Sequence, residues 1–384
     1  MSKKRYLRNQ LSVLVILILL VVLPGCGYFW RALVYQKVGI LDYHIFHNRR
    51  IDVENPQPWQ KHPLYNSYSM PQSYTEYMDS LKTVGFVVIQ DGKLLYERYA
   101  TNWSDTAISN SFSMAKSIIS MMIGICIDKG YIKSEDDFVR DYIPEFNTPE
   151  NRNLTIKHLL NMTSGLNWNE AYANPWSTTT KAYYGTQLEK QVLKLKVVEP
   201  SDVKYDYKSG DTQLLAIIIR NATGMPVAEF MEKYLWKKIG AETPALWCLD
   251  HKNGLEKAYC CVNATAKDFA RLGQLILNQG MWNDEVVLSK NYIEKMLTPA
   301  SHLIDEFGKT NDYYGYQWWK IMYNNHTVHY MRGINGQYVF IIPDKNAVIV
   351  RLGHKRSKVR INDIPSDLFE WLNIGLDILS KAEQ

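Results

Sequence analysis

The sequence is poor in cysteine. It has five in 384 residues, none in a Cys-x-x-Cys pair, and no two histidines stand four residues apart. The spacings that build zinc sites are therefore missing, and no metal or other cofactor is expected. Charge of one sign is scarce too. The formal net charge is +5, and Lys3, Lys4, Arg5 and Arg8 crowd into the first eight positions, so the rest of the chain is close to balanced. Nothing here suggests a nucleic-acid partner. An apolar content of 46% over this length is enough for a substantial core, in one large domain or two modest ones.

One uncharged run does stand out. LSVLVILILLVVLPGCGYFW, Leu11 to Trp30, follows the basic N-terminus. About 20 apolar residues can span a bilayer, and basic residues before them stay cytoplasmic. LPGC, Leu23 to Cys26, also resembles a bacterial lipobox, which would lipidate Cys26. Pro24 is unusual in that motif, and Tyr28, Phe29 and Trp30 followed by Arg31 read as an interfacial belt, so a single uncleaved span is favoured. Either reading puts the body of the chain outside the cytoplasm, at the membrane. In that oxidising setting Cys248, Cys260 and Cys261 lie close enough for one bridge, while Cys126 falls in an apolar helical run.

The expected organisation is an anchor over residues 1–31, a stalk and lead-in over 32–80, and a single domain over 81–384. GFVVIQDGKLLYERY, Gly85 to Tyr99, reads as a β-hairpin turning at Asp91-Gly92. Helical patterns follow from Ser113 to Ile132 and on through the middle of the chain. Asp268 and Arg271 fall on the polar side of one of these helices. His326 to His354 gives three strands, with Pro343 to Asn346 joining the last two, before a closing helix from about Asp363 to Lys381. Strands at both ends of a domain commonly share one antiparallel sheet. The predicted fold is thus α/β in the α+β sense, an antiparallel sheet flanked by helices with a mainly helical lobe inserted over roughly 130–260. A cleft between the two parts is the natural place for a site.

Chemistry enters at NSFSMAKSIIS, Asn110 to Ser120. A serine hydroxyl needs a neighbouring base to become a nucleophile, and a neutral lysine can serve. Ser113 and Lys116, three apart at the start of a helix, share one face, and the helix N-terminus favours a developing oxyanion. The spacing alone is weak, since Ser201-Asp202-Val203-Lys204 repeats it, and a serine opening a helix is often only its cap. Two later features add weight: Tyr207-Lys208-Ser209 just before another helix, and Gly333 and Gly336 where one strand passes to the next.

In that order these motifs resemble the serine β-lactamase and penicillin-binding protein superfamily, in its class C-like branch of esterases, D-aminopeptidases and 6-aminohexanoate-oligomer hydrolases. HLLNMTSGLNW, NATAKDFARLG, YYGYQWWK and RGINGQY extend the resemblance over roughly Val84 to the C-terminus. It implies a β-lactamase/transpeptidase-like fold and an acyl-serine mechanism on a small ester or amide. Ser113 would be the nucleophile, with Lys116 and Tyr207 moving its proton. The N–H groups of Ser113 and Ile334 would form the oxyanion hole, supported by Ser209 and Gly333, and Tyr172 and Trp318 would be candidate substrate contacts. Met331-Arg332-Gly333 stands where relatives carry Lys-Thr-Gly or His-Thr-Gly. The usual cation at the first of those positions is missing, and alternation turns Arg332 away from Met331. This argues against a penicillin-type carboxylate and towards plainer esters or amides. A β-lactamase or D,D-peptidase is the alternative enzyme, and a binding protein without turnover the alternative outside enzymology. The oligomeric state is left open.

Overall fold

A computed structural model describes residues 27–35, 37–172 and 174–382. Most of the expected span, Leu11 to Cys26, lies outside them, as does the lipidation candidate Cys26. Among the described residues no single helix is long and apolar enough to cross a membrane.

In chain order the strands that organise the fold are β1 (His47–Ile51), β2 (Thr83–Gln90), β3 (Lys93–Tyr99), β4 (Ser109–Asn110), β5 (Ala245–Leu249), β6 (Val262–Ala264), β7 (Tyr314–Gly315), β8 (Trp318–Tyr323), β9 (His326–Gly333), β10 (Gln337–Ile342) and β11 (Ala347–Gly353). Four helices frame them: α1 (Met114–Asp128), α2 (Ser209–Thr223), α3 (Ala266–Leu277) and α4 (Asp367–Ala382). The predicted hairpin forms because Asp91 and Gly92 both take positive φ, +49° and +69°, so the chain reverses in two residues. The seven-stranded sheet runs β3-β2-β11-β10-β9-β8-β7, each neighbour antiparallel, with β2 and β11 paired one strand in from the β3 edge. The strands at the two ends of the domain do share one sheet. A second sheet, β1-β5-β6-β4, lies beside it, and among the described residues no strand falls between Asn110 and Ala245. The lead-in contributes β1 to this smaller sheet and a helix at Gln72–Ser80.

Both faces of the central strands are buried, which is why they read as nearly continuous Val and Ile. Val87, Ile89, Val339, Val348 and Val350 join the core that contains α1, α2 and α3, whereas Phe86, Val88, Phe340 and Ile349 join the core closed by α4. A glycine seats a helix on each face. A Cβ on Gly273 of α3 would come within 2.7 Å of Val348, and one on Gly375 of α4 within 2.2 Å of Ile349. The pair predicted on the polar side of α3 is in fact buried: Asp268 accepts from the N–H groups of Glu242 and Thr243, and Arg271 pairs with both Asp268 and Glu242. These side chains satisfy loop backbone, a task that leaves no periodic mark in the sequence.

Helix α1 is buried from Met114 to Cys126, and α2 from Ser209 to Ile219, ending at Gly224 with φ +70°. In the first turn of α2, Asp211 is fully buried. One oxygen accepts the Ser164 hydroxyl at 2.7 Å and the other has no partner among the described residues. Burial pushes its pKa up to about 8, against the lowering pull of Ser164 and Lys208. The folded state therefore keeps a proton that the unfolded chain releases near pH ~4. Stability is fully present below that pH and falls as the pH rises through about 8. Asp211→Asn should flatten this dependence, so that melting temperatures of the two proteins converge near pH 4 and part in the variant's favour by pH 8. Equal pH slopes would refute the assignment.

Candidate active site

The nucleophile candidate sits on a turn held from both sides. Asn110 of β4 pairs with Asn263 of β6, and the Ser111 N–H donates to the Val262 carbonyl at 2.7 Å. Phe112 follows at φ +44°, uncommon for a bulky residue. Its N–H donates to Asn110 Oδ1 at 2.8 Å and its ring is buried. The turn delivers Ser113 to the N-cap position of α1, yet the hydroxyl makes no capping bond. Instead Ser113 Oγ accepts from Lys116 Nζ at 3.1 Å.

Lys116 is only 1% exposed, and its second bond runs to the Tyr259 carbonyl at 2.9 Å. A buried amine needs such acceptors, because desolvation without them is costly. Its Nζ also lies 4.9 Å from the centre of the Tyr207 ring, so Ser113, Lys116 and Tyr207 meet in one place. Tyr207 reaches it from the loop before α2, whose start is fixed by Glu170. That carboxylate accepts from the N–H of Ser209 at 2.8 Å, its hydroxyl at 2.6 Å, and Trp168 Nε1 at 2.6 Å. The Tyr172 hydroxyl donates to it as well. A carboxylate at the start of a 15-residue helix also meets the positive end of the helix dipole.

Across from Ser113 stands the end of β9. A Cβ on Gly333 would lie 2.3 Å from the Ser111 carbonyl oxygen and 3.2 Å from Phe112 Cβ, so only glycine permits this approach. Ile334 then lines the same cleft as Ser113. Buried Arg351 holds the turn beyond it, donating to the carbonyls of Asn335 at 3.0 Å and Gly336 at 2.7 Å. The cleft has a volume of about 850 Å³, and Tyr172, Tyr207, Trp319, Arg332 and Arg356 also border it.

A serine with an adjacent buried lysine, a tyrosine beside both and a glycine-ended strand opposite thus share one cleft, and the Beta-lactamase family model matches residues 72–367. The chain belongs to the Beta-lactamase family. It is 27% identical over 286 residues to the 6-aminohexanoate-dimer hydrolase of Paenarthrobacter ureafaciens, covering 70% of this chain and 72% of that one. A solved Bacillus anthracis structure, provisionally assigned as a 6-aminohexanoate-dimer hydrolase, superposes with a TM-score of 0.74 at 24% identity, covering 88% of this chain and 92% of that one. The octameric penicillin-binding protein homologue from Pyrococcus abyssi shares the fold with a TM-score of 0.58 at 19% identity, over 79% of this chain and 75% of that one.

Within this β-lactamase fold two sequence expectations need correction, the facing of Trp318 and that of Arg332. Trp318 is 2% exposed and packs in the core; its neighbour Trp319 faces the cleft, because successive residues of β8 point to opposite faces. The same alternation buries Met331 and sends Arg332 into the cleft, with its Cζ 3.7 Å above the Trp319 ring. The missing cation at position 331 thus says little, since a guanidinium occupies the cleft one residue later. Ser201, the second match to the serine-lysine spacing, donates to the Ser164 carbonyl and does not line the cleft. The bridge joins the neighbours Cys260 and Cys261, leaving Cys248 and Cys126 as buried thiols. Glu170, Tyr259 and Arg351 were missed, since their partners are 39, 143 and 15 residues away and no motif links them.

The contact at Gly333 gives a direct test. Gly333→Ala should push the end of β9 off the Ser111–Phe112 turn and lower kcat for Ser113-dependent turnover by roughly 10²-fold, the scale of a ~1 Å misplacement. Unchanged kcat in a folded variant would show that the approach has no bearing on the reaction.

Proposed function

We propose that the protein is a serine hydrolase that cleaves an amide or ester bond through an acyl-Ser113 intermediate. The observation that carries this reading is the Ser113 Oγ to Lys116 Nζ contact of 3.1 Å, made by a hydroxyl that does not cap its helix and that opens into a cleft. In the acylation step Ser113 Oγ attacks the carbonyl carbon and its proton passes to the Lys116 and Tyr207 pair, which returns a proton to the leaving group. The N–H groups of Ser113 and Ile334 receive the oxyanion. Water then attacks the acyl-enzyme with the same groups acting in reverse, releasing the acid. An amide is the favoured bond, since the Paenarthrobacter relative is named for a hydrolase of the 6-aminohexanoate dimer.

One observation favours a second reading, a β-lactamase or D,D-peptidase. Arg332 brings a guanidinium into the cleft, stacked on the Trp319 ring, and no ion pair with a carboxylate is found for it among the described residues. A substrate carboxylate would find a partner there. A panel of chromogenic esters, anilides and a cephalosporin separates the two. Hydrolysis of the anilides or esters by the parent protein, abolished in Ser113→Ala, is the expected result. Turnover unchanged by that substitution would sink the acyl-serine mechanism, and cephalosporin as the best substrate would move the assignment to the second reading.

We extend the proposal to location: residues 1–31 tether the domain to the membrane with the cleft on the extracytoplasmic side. Its support is the uncharged run Leu11 to Trp30 behind a basic N-terminus. Fractionation should find the full chain in membranes and a chain lacking residues 1–31 in the soluble fraction. Equal distribution of the two would refute it.

A further inference from the structure

The bridge between Cys260 and Cys261 has no part in the chemistry above, yet it lies between the two backbone groups that hold the reacting pair. On its N-terminal side, the Tyr259 carbonyl accepts Lys116 Nζ at 2.9 Å. On its C-terminal side, the Val262 carbonyl accepts the Ser111 N–H at 2.7 Å, two residues before Ser113. The four residues Tyr259 to Val262 thus form a short bracket with the nucleophile on one arm and its proton acceptor on the other. We propose that the Cys260–Cys261 disulfide is a positioning element that fixes the spacing of this bracket and thereby the Ser113–Lys116 geometry. The inference rests on the assignment of Ser113 and Lys116 as the reacting pair.

Local geometry supports a fixed bracket. Cys261 is at φ +74°, in the left-handed region that residues with a Cβ seldom occupy without outside support. No glycine is available at that position to adopt it freely. The carbonyls around the bridge are all engaged: Trp247 Nε1 donates to those of Lys257 and Cys260, each at 3.1 Å, and the Cys261 carbonyl takes the Cys248 N–H at 3.1 Å and Asn263 Nδ2 at 2.9 Å. Joining two neighbouring side chains closes a small ring that removes backbone freedom at both residues. The ring is buried, with Cys260 4% and Cys261 0% exposed, so its effect passes to the site through backbone rather than through substrate contact.

The test uses the full-length chain in detergent, as isolated, after reduction, and as the Cys260→Ser/Cys261→Ser double variant. Dithiothreitol breaks the S–S bond by supplying two electrons and two protons, giving two thiols as it closes to its own cyclic disulfide. Mass spectrometry after alkylation reports the state of each cysteine. The expected result is a fall in kcat of about tenfold in both the reduced and the double-serine protein, the scale of a modest misplacement. KM should stay within about twofold, and once dithiothreitol is removed, oxidised glutathione, taking up the two electrons and two protons as it becomes two thiols, should restore kcat to the reduced protein alone. Full kcat in either bridge-free form would overturn the proposal, as would a protein isolated with both thiols free and fully active. Structures of the oxidised and double-serine forms give a second measure that needs no turnover. Loss of the Tyr259 carbonyl to Lys116 contact supports the bracket, and its retention at the same distance overturns it. If Ser113→Ala keeps full turnover, the hydrolase reading fails on its own, and the two structures still decide whether the bridge positions Lys116.

Discussion

A buried amine held between a hydroxyl and a carbonyl is the constraint on which the site depends. Lys116 has almost no access to water, so Ser113 Oγ and the Tyr259 carbonyl must stand in for it. Those two acceptors come from a helix start and from a loop lying 143 residues after Lys116 itself. The small sheet fixes their separation, because β4 leads into the first and β6 follows the second. The smaller of the two sheets therefore does the closest positioning, while the large sheet supplies the opposing wall.

That wall follows from the alternation of side chains along β8 and β9. In these strands a one-residue step decides whether a group belongs to the core or to the cleft. Trp318 and Met331 fill the core with α1, and Trp319 and Arg332 face the substrate side, stacked on each other. The aromatic ring beneath the guanidinium gives it a fixed plane, which suits recognition of a planar anion better than a mobile lysine would.

Much of the fold was legible in the sequence because its signals are local. The Asp91-Gly92 hairpin, the three strands from His326 to Gly353 and the closing helix each declare themselves within a few residues. Ser113 and Lys116 were legible for the same reason, being one helical turn apart. What could not be read depends on distant partners or on absolute facing. Glu170 gains its meaning only from Ser209, 39 residues on, and Tyr259 acts through a carbonyl that every residue possesses. For Trp318 and Arg332 the alternation was clear but its phase was not, since both faces of these strands offer apolar surroundings. Phase is set by the register against neighbouring strands, where Trp319 stands opposite Tyr330 and Met331 opposite Val339. The Asp268 and Arg271 pair shows the same limit, because a polar stripe on a helix looks alike whether it meets water or loop backbone.

The pairing of β2 with β11 has a consequence for the rest of the chain. Gln90 lies against Ala347, so this pair of strands closes a loop holding everything from the second hairpin strand to the tenth strand. The entropy of closing so long a loop grows only logarithmically, by about 0.6 kcal/mol for each doubling of its length. Exposed connections within that span can therefore change length at little entropic cost to the sheet. The supports of Ser113, namely β4, β6 and the end of β9, lie inside that same span, so the freedom belongs to the connections that leave their contacts with the serine turn intact.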